Sequence, residues 1–176
     1  MSVSAHLSPE PERRLWAILD GVRHAGERME AKLGALTVLA FAQLALIAVA
    51  VPDGPLSAAA VLLLGACLLI GALAAAPLSR LPAPLAFLEP RKDKTSVNDC
   101  LISVEDLAKY TQNELTSRLD KYLGGGLTAT PYHEDIVGQI VRGATAAARQ
   151  RRLLGASCFL AAGGQLCLLC RLLWRR

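Results

Sequence analysis

Three long apolar runs without a charged residue dominate the pattern of the chain. They extend from Leu33 to Val51, from Leu56 to Leu78 and from Leu153 to Cys170, and they contain 19, 23 and 18 residues. At about 1.5 Å of rise per residue, helices of this length cross most or all of the roughly 30 Å hydrocarbon core of a bilayer. The pattern therefore predicts an all-α integral membrane protein.

The segment between the first two runs predicts a transmembrane helical hairpin. Pro52-Asp53-Gly54-Pro55 combines residues that end helices with residues that turn the chain. The first run starts only at Leu33, and a tight turn rather than a small-residue cleavage site follows it, so it is not a cleavable signal peptide. The third run then forms a separate C-terminal transmembrane helix. An incomplete or re-entrant insertion is the alternative, because a full span would place Arg171, Arg175 and Arg176 outside.

Hydropathy divides the chain into four predicted segments. Residues 1–32 form an N-terminal cytoplasmic amphipathic helix, and residues 33–78 form the transmembrane hairpin. Residues 79–152 form a small helical cytoplasmic module, and residues 153–176 form the third transmembrane helix and a basic tail.

The N-terminal helix carries one apolar stripe, because its apolar residues recur at spacings of three, four and seven. The stripe consists of Leu15, Ile18, Leu19, Val22 and Met29. We expect this helix to continue through Lys32 into the first apolar run.

Two further helices are predicted in the central and C-terminal parts of the chain. The first opens with Ser103 as N-cap and Asp106 as an acidic capping-box partner, and ends at Gly124. Its apolar stripe must pack on the N-terminal helix, on the last helix or on another copy of the chain. That stripe consists of Leu107, Ala108, Thr111, Leu115, Leu119 and Tyr122.

The last helix is predicted to be a single element of 44 residues from Pro131 to Trp174. Thr130 is placed to cap it, and proline is favoured at a first helical position. Its first half is amphipathic and cytoplasmic, and its second half is membranous.

The distribution of basic residues predicts the orientation in the membrane. Residues 1–32 hold five Lys and Arg, residues 79–152 hold eleven, the hairpin turn holds none and the C-terminal tail holds three. Under the positive-inside rule, the N-terminus and the central segment lie in the cytoplasm of a multi-pass protein. A net charge of +4, placed near the ends of the runs, suits anionic lipid headgroups and argues against a nucleic-acid partner.

No catalytic constellation and no metal site emerges from the residues. The three histidines, His6, His24 and His133, have no ligand partners at suitable spacing, because adjacent helical residues do not share a face. Cys167-x-x-Cys170 has no second pair, and apolar packing explains it. We therefore expect no enzymatic activity, no metal and no cofactor.

The order of several weak motifs resembles the transmembrane Pycsar effector family of bacterial anti-phage defence. The resemblance rests on Glu30 and Lys32 at the start of the first span, on Ser103-Val104-Glu105-Asp106 with Tyr110, and on Gln139, Ala146-Ala147-Ala148 and Arg149. The sequence departs from the family at Leu33-Gly34 and at Gln150, which replace a small pair and an aromatic residue.

The resemblance implies a function. Similar proteins are activated by cyclic CMP or cyclic UMP, impair the inner membrane and stop the growth of the infected cell. Two alternatives remain open: a related two-span effector that answers to a cyclic oligonucleotide, and a structural membrane scaffold without a ligand. Small residues one turn apart, such as Cys67 with Gly71 and Ser157 with Ala161, would permit a homo-oligomer.

A cyclic nucleotide needs cations or a helix N-terminus for its phosphate and an aromatic face for its base. The start of the last helix offers Tyr132 and His133, and positive charge could come from Arg142, Arg91 and Lys92. Ordinary helix capping and packing is the alternative interpretation of the same residues.

Overall fold

Five helices account for the regular structure of the described residues. The computed structural model describes residues 10–50, 54–75, 95–96, 99–123 and 131–174. In chain order the helices are α1 (Glu10–Ala50), α2 (Pro55–Ala75), α3 (Val104–Leu107), α4 (Gln112–Leu123) and α5 (Pro131–Trp174). No strand occurs in these ranges, which confirms the all-α prediction.

The two long helices have the extents that the sequence predicted. α1 runs for 41 residues without a break at Lys32, and α5 runs for 44 residues from Pro131 to Trp174. Thr130, the predicted N-cap of α5, lies outside the described residues. Both helices can be long because no proline or glycine pair interrupts their amphipathic N-terminal halves, and their apolar halves contain mainly Leu and Ala, which are good helix formers.

α2 begins as expected from its sequence. Pro55 is the first helical residue, a position where its missing N–H costs no hydrogen bond. The carbonyl oxygen of Gly54 accepts bonds from the Ala58 amide at 3.0 Å and from the Ser57 hydroxyl at 2.7 Å. The predicted turn residues Pro52 and Asp53 lie outside the described residues.

The prediction of one continuous helix from Ser103 to Tyr122 was wrong. The chain forms a single turn, α3, and a new helix, α4, starts at Gln112. Ser103 precedes α3, but its hydroxyl makes no capping bond, and the Asp106 carboxylate bonds to the amide of Cys100 at 3.0 Å instead. At the end of α3, the Lys109 amide donates to the Asp106 carbonyl oxygen at 3.1 Å and the Tyr110 amide to the Leu107 carbonyl oxygen at 3.3 Å. These bonds reach back three residues instead of four, so the chain tightens into a turn rather than continuing as an α-helix.

A capping box restarts the helix at Thr111. The Glu114 carboxylate accepts bonds from the Thr111 amide at 2.9 Å and from the Thr111 hydroxyl at 2.8 Å. The Glu114 amide in turn lies 3.4 Å from the same hydroxyl. Such caps typically stabilise a helix by about 1 kcal/mol, which is enough to fix where α4 begins.

The chain divides into two compact units. Unit 1 comprises residues 1–27 and 90–149, and unit 2 comprises residues 28–89 and 150–176. Both α1 and α5 contribute a segment to each unit. The four hydropathy segments stay a prediction, because the two units are defined by packing within the chain and not by where a membrane begins.

Unit 1 has a core built from the apolar stripes of α1, α4 and α5 and from the turn of α3. This confirms that the central stripe packs on the N-terminal and last helices. The buried members are Leu15, Leu19, Val22, Leu107, Ala108, Tyr110, Leu115, Leu119, Ile136, Val137, Ile140, Ala144 and Ala148. Two residues assigned to the central stripe, Thr111 and Tyr122, are instead exposed. Thr111 precedes α4 as its cap, and Tyr122 lies in the last turn of that helix.

Unit 2 has a core built from both small and aliphatic residues on α1, α2 and α5. Its buried members include Ala40, Ile47, Ala60, Leu64, Cys67, Ile70, Leu153 and Ala161. Large apolar side chains on the same helices point outward, which is the arrangement of helices whose outer surface meets lipid.

Three helices in the described part of the chain are long and apolar enough to cross a membrane. They are α1, α2 and α5, in agreement with the predicted hairpin and the third C-terminal span. The orientation of these spans stays a prediction.

Candidate functional site

The predicted ligand residues at the start of α5 lie on the surface of unit 1. Tyr132 is 49% exposed, and its hydroxyl lies 3.4 Å from a carboxylate oxygen of Glu12 on α1. The ring centroid of His133 is 5.9 Å from that of Tyr132, with the rings inclined at 50°. The two aromatic residues are therefore adjacent, and the first of them joins α5 to α1.

The structure does not bring Arg142 to these aromatic residues within one chain. Arg142 follows His133 by nine residues, which on a helix is about 13.5 Å along the axis and half a turn around it. Arg91 and Lys92 lie outside the described residues. The site predicted from the sequence thus remains a prediction, with its described members on different faces of α5.

A second group of polar residues surrounds the turn between α3 and α4. The Asp99 carboxylate accepts bonds from the Ser96 amide at 2.6 Å and from the Tyr110 hydroxyl at 2.9 Å. The Lys109 ammonium lies 2.7 Å from the Asp106 carboxylate and 3.5 Å from that of Asp99. The Lys109 ammonium therefore pairs with two carboxylates, and these contacts stabilise the turn.

These contacts shift the acid–base behaviour of the turn. The hydrogen bond from the Ser96 amide, with those from Tyr110 and Lys109, lowers the pKa of Asp99. The bond from Lys109, with that from the Cys100 amide, lowers the pKa of Asp106. The pKa of Lys109 is raised, chiefly by its bond to Asp106, so all three groups favour their charged forms near neutral pH.

Tyr110 and Arg118 connect this turn to α4. The Arg118 guanidinium lies over the Tyr110 ring, 5.2 Å from its centroid, and donates to the Ser96 carbonyl oxygen at 2.6 Å. A guanidinium that contacts the Tyr110 hydroxyl and ring in this way is held in one place. The ring of Tyr110 is buried, and burial raises the pKa of its hydroxyl.

The outward face of α4 borders an open cavity of about 710 Å³, which we call the α4 groove. The groove is lined by Thr95, Tyr110, Asn113, Glu114, Ser117, Arg118, Lys121 and Tyr122. Its volume falls in the range of about 300–1,000 Å³ that small-molecule sites occupy.

The groove residues form rows along α4 because they recur every fourth position. Asn113, Ser117 and Lys121 make one row of about 12 Å, and they present an amide, a hydroxyl and an ammonium in that order. Arg118 and Tyr122 stand in the adjacent row. Together the rows supply two cations, one exposed aromatic ring and two neutral hydrogen-bonding groups.

Sequence reasoning missed the α4 groove. The four-residue spacing of polar groups is visible in the sequence, but on a helix it is also the pattern of an ordinary solvated face. Tyr122 was assigned to the apolar stripe, whereas its side chain is 74% exposed. The T-x-x-E spacing of Thr111 and Glu114 was the available indication that α4 begins anew after Thr111.

The small residues of the spans pack inside unit 2. Cys67 and Ser157 are buried, and the Cys67 thiol donates to the Ser157 carbonyl oxygen at 3.6 Å. A Cβ on Gly71 would overlap the Thr37 hydroxyl, and a Cβ on Gly164 would lie 3.0 Å from Leu64 Cγ. The spacing that would permit a homo-oligomer is therefore used for contacts within one chain.

No metal-ligand cluster is found in the part of the chain that the structure describes. Among these residues, no group of three or more His, Cys, Asp and Glu side chains is arranged to hold an ion. All five cysteines, which lie within the described ranges, are free thiols.

Comparison with known proteins gives one match. The family model of the Pycsar effector protein domain matches residues 14–174, nearly the whole chain. Neither the curated proteins nor the solved structures contain a match.

Proposed function

We propose a function from one premise: the chain belongs to the Pycsar effector family. The match from residue 14 to residue 174 includes the described parts of both units and all three apolar helices, and it is the observation that carries the proposal. On this basis the protein is a membrane-embedded effector of bacterial anti-phage defence. Its activating ligand is a cyclic pyrimidine nucleotide, cyclic CMP or cyclic UMP.

The proposed output is loss of inner-membrane integrity, which stops the growth of the infected cell. The support is the outer surface of unit 2, whose helices turn large apolar residues such as Phe41 and Leu62 outward. The proposed mechanism needs no catalysis and no cofactor, since ligand binding alone would shift the population of membrane conformations. A homo-oligomer in the bacterial inner membrane is part of the proposal, and so is a cytoplasmic N-terminus and central segment.

Reconstitution into vesicles tests the activating ligand directly. The full-length protein is placed in phosphatidylethanolamine–phosphatidylglycerol vesicles that contain a self-quenching dye, and cyclic CMP or cyclic UMP is added. We expect dye release with at least one of these two nucleotides and none with cyclic AMP, cyclic GMP or buffer. The purine nucleotides are the matched control, because they carry the same cyclic phosphate on a different base.

Two other outcomes would contradict the proposal, each in its own way. Release with cyclic oligonucleotides alone would identify an effector of a different signalling system. No release with any nucleotide, together with no loss of membrane potential when the protein is produced beside a pyrimidine nucleotide cyclase in cells, would favour a structural scaffold.

A further inference from the structure

We infer that the α4 groove is the binding site for a cyclic mononucleotide with a single-ring base. The inference rests on the proposed function for the identity of this ligand. The position of the site is argued from the side chains of unit 1 alone, and it differs from the position at the start of α5 that the sequence indicated.

The phosphate is expected to bind between Lys121 and Arg118. Lys121 is exposed on the last turn of α4, and the Arg118 guanidinium is held nearby on the Tyr110 ring. Because the Arg118 guanidinium is already held by the Ser96 carbonyl oxygen and the Tyr110 ring, little ordering is needed when an anion arrives. Glu114 brings a negative charge to the groove, but its carboxylate is bonded to Thr111 in the capping box.

Ser117 is placed to contact the sugar. It lies one turn before Lys121, where its hydroxyl can bond to a ribose oxygen. Asn113 lies nine residues before Tyr122, about 13.5 Å along the axis and half a turn around it, so a base stacked on Tyr122 does not reach the Asn113 amide. The contacts assigned to the ligand are therefore those of the four groove residues from Ser117 to Tyr122 that lie within two turns of α4, namely Ser117, Arg118, Lys121 and Tyr122.

Tyr122 supplies the aromatic face. Its ring is 74% exposed, although a tyrosine on a helix usually packs at least one face against protein. Helical side chains lean toward the N-terminus, so this ring covers the turn that carries Ser117 and Arg118. A base stacked on it would bury apolar surface of both rings, which is typically worth about 1–3 kcal/mol for a base on an aromatic side chain.

The groove offers a more complete set of contacts than the start of α5. Within one chain, Arg142 lies half a turn from His133 and about 15 Å along the axis from Tyr132, so one small ligand could not contact all three. In the groove, the hydroxyl of Ser117, two cations and the Tyr122 ring lie within five positions of one another on α4 and border one cavity, which the Glu114 carboxylate also lines.

Calorimetric titration of the detergent-solubilised full chain with cyclic CMP and cyclic UMP tests the site. The groove variants are Lys121→Gln and Tyr122→Leu, and both positions are exposed, so the variants should keep the thermal midpoint of the parent. The rival-site variants are Arg142→Gln and Tyr132→Leu. Arg23→Gln removes an exposed charge elsewhere in unit 1 and serves as the control.

We expect the groove variants to bind about 10- to 100-fold more weakly, as the loss of a charged hydrogen bond or a stacking contact implies. The control and the rival-site variants should bind like the parent. If the parent binds, and Arg142→Gln or Tyr132→Leu weakens binding while the groove variants do not, this site is overturned and the proposed function stays intact. Failure of the parent to bind either nucleotide would overturn both.

Discussion

The outer surfaces of the two units carry different kinds of side chain. Unit 1 buries large aliphatic residues such as Leu15 and Leu115. Unit 2 buries Ala, Cys and Ser beside aliphatic residues such as Leu64, and it also exposes large apolar residues such as Phe41 and Leu62 on its outer surface. Large apolar side chains therefore lie mainly inside unit 1, but both inside and outside unit 2.

The difference identifies the solvent of each unit. In water, folding is driven by removing large apolar surface from the solvent, so the large residues go inside. In lipid, apolar surface gains nothing by burial, so helices associate through close approach, which small residues permit. The outward-facing large residues of unit 2 are thus as favourable in lipid as the inward-facing large residues of unit 1 are in water.

A charge on the outer surface is the strongest test of this comparison. Phe41 lies near the middle of the first apolar run and is 66% exposed, and Ile102 in unit 1 is 78% exposed. We expect Phe41→Asp to lower membrane insertion by about 2.5–3.5 kcal/mol, because a carboxylate at the centre of a span is costly. Ile102→Asp should change stability by no more than about 0.5 kcal/mol.

Membrane fractionation after carbonate extraction, together with thermal unfolding of the purified protein, measures both effects. If Phe41→Asp inserted normally while Ile102→Asp unfolded the protein, unit 2 would be the one that faces water.

A side chain added between the helices of unit 2 should have the next largest effect. A Cβ on Gly71 would overlap the Thr37 side chain, whose hydroxyl donates to the Leu33 carbonyl oxygen at 2.8 Å. Thr37 is branched at Cβ and cannot rotate away freely. We expect Gly71→Val to destabilise unit 2 by about 1–3 kcal/mol.

Gly65 on the same helix provides the matched control, because a Cβ there meets nothing within 4 Å. Thermal unfolding in detergent should separate Gly71→Val from Gly65→Val. Equal midpoints would mean that α1 and α2 do not pack closely at this level.

Acid should affect unit 1 before unit 2. The pKa of Asp99 is lowered from its ordinary value of 3.8, chiefly by the Ser96 amide, so its contribution to stability is complete above that value. It is lost as the pH falls further, through the lower pKa of the folded state. Within its described residues, unit 2 contains only one carboxylate, that of Glu30.

Helix unfolding followed by circular dichroism between about pH 5 and pH 2.5 measures this acid response. Asp99→Asn should lower the midpoint at neutral pH and flatten its fall in acid, whereas Asp135→Asn, which removes an exposed carboxylate of α5, should leave the acid response unchanged. If the acid response of Asp99→Asn equalled that of the parent, the Asp99 contacts would not contribute to the stability of this turn.

The sequence was sufficient for the long elements. α1 and α5 have their predicted extents because apolar periodicity persists over many turns and because Pro131 marks a helix start. The break between α3 and α4 could not be read in the same way. It depends on contacts of Asp99 and Lys109 across the turn, and these hydrogen bonds become visible only when the chain is folded.

The α4 groove was hidden for a related reason. Ser117 and Lys121 are typical residues of a solvated helix, and nothing in their types distinguishes a ligand site from plain surface. What distinguishes them is the cavity beside them and the Arg118 guanidinium fixed on Tyr110, which are properties of three-dimensional packing.

The capping box at Thr111 also sets the rotational phase of α4. Because α4 starts after Thr111 rather than at Ser103, the direction in which Lys121 points depends on the number of residues between it and Thr111, and not on α3. A residue inserted before Thr111 would be absorbed by the turn and would leave the face of α4 as it is. One inserted after Asn113 would rotate every later residue by about 100°, and would carry the groove's cations away from the cavity.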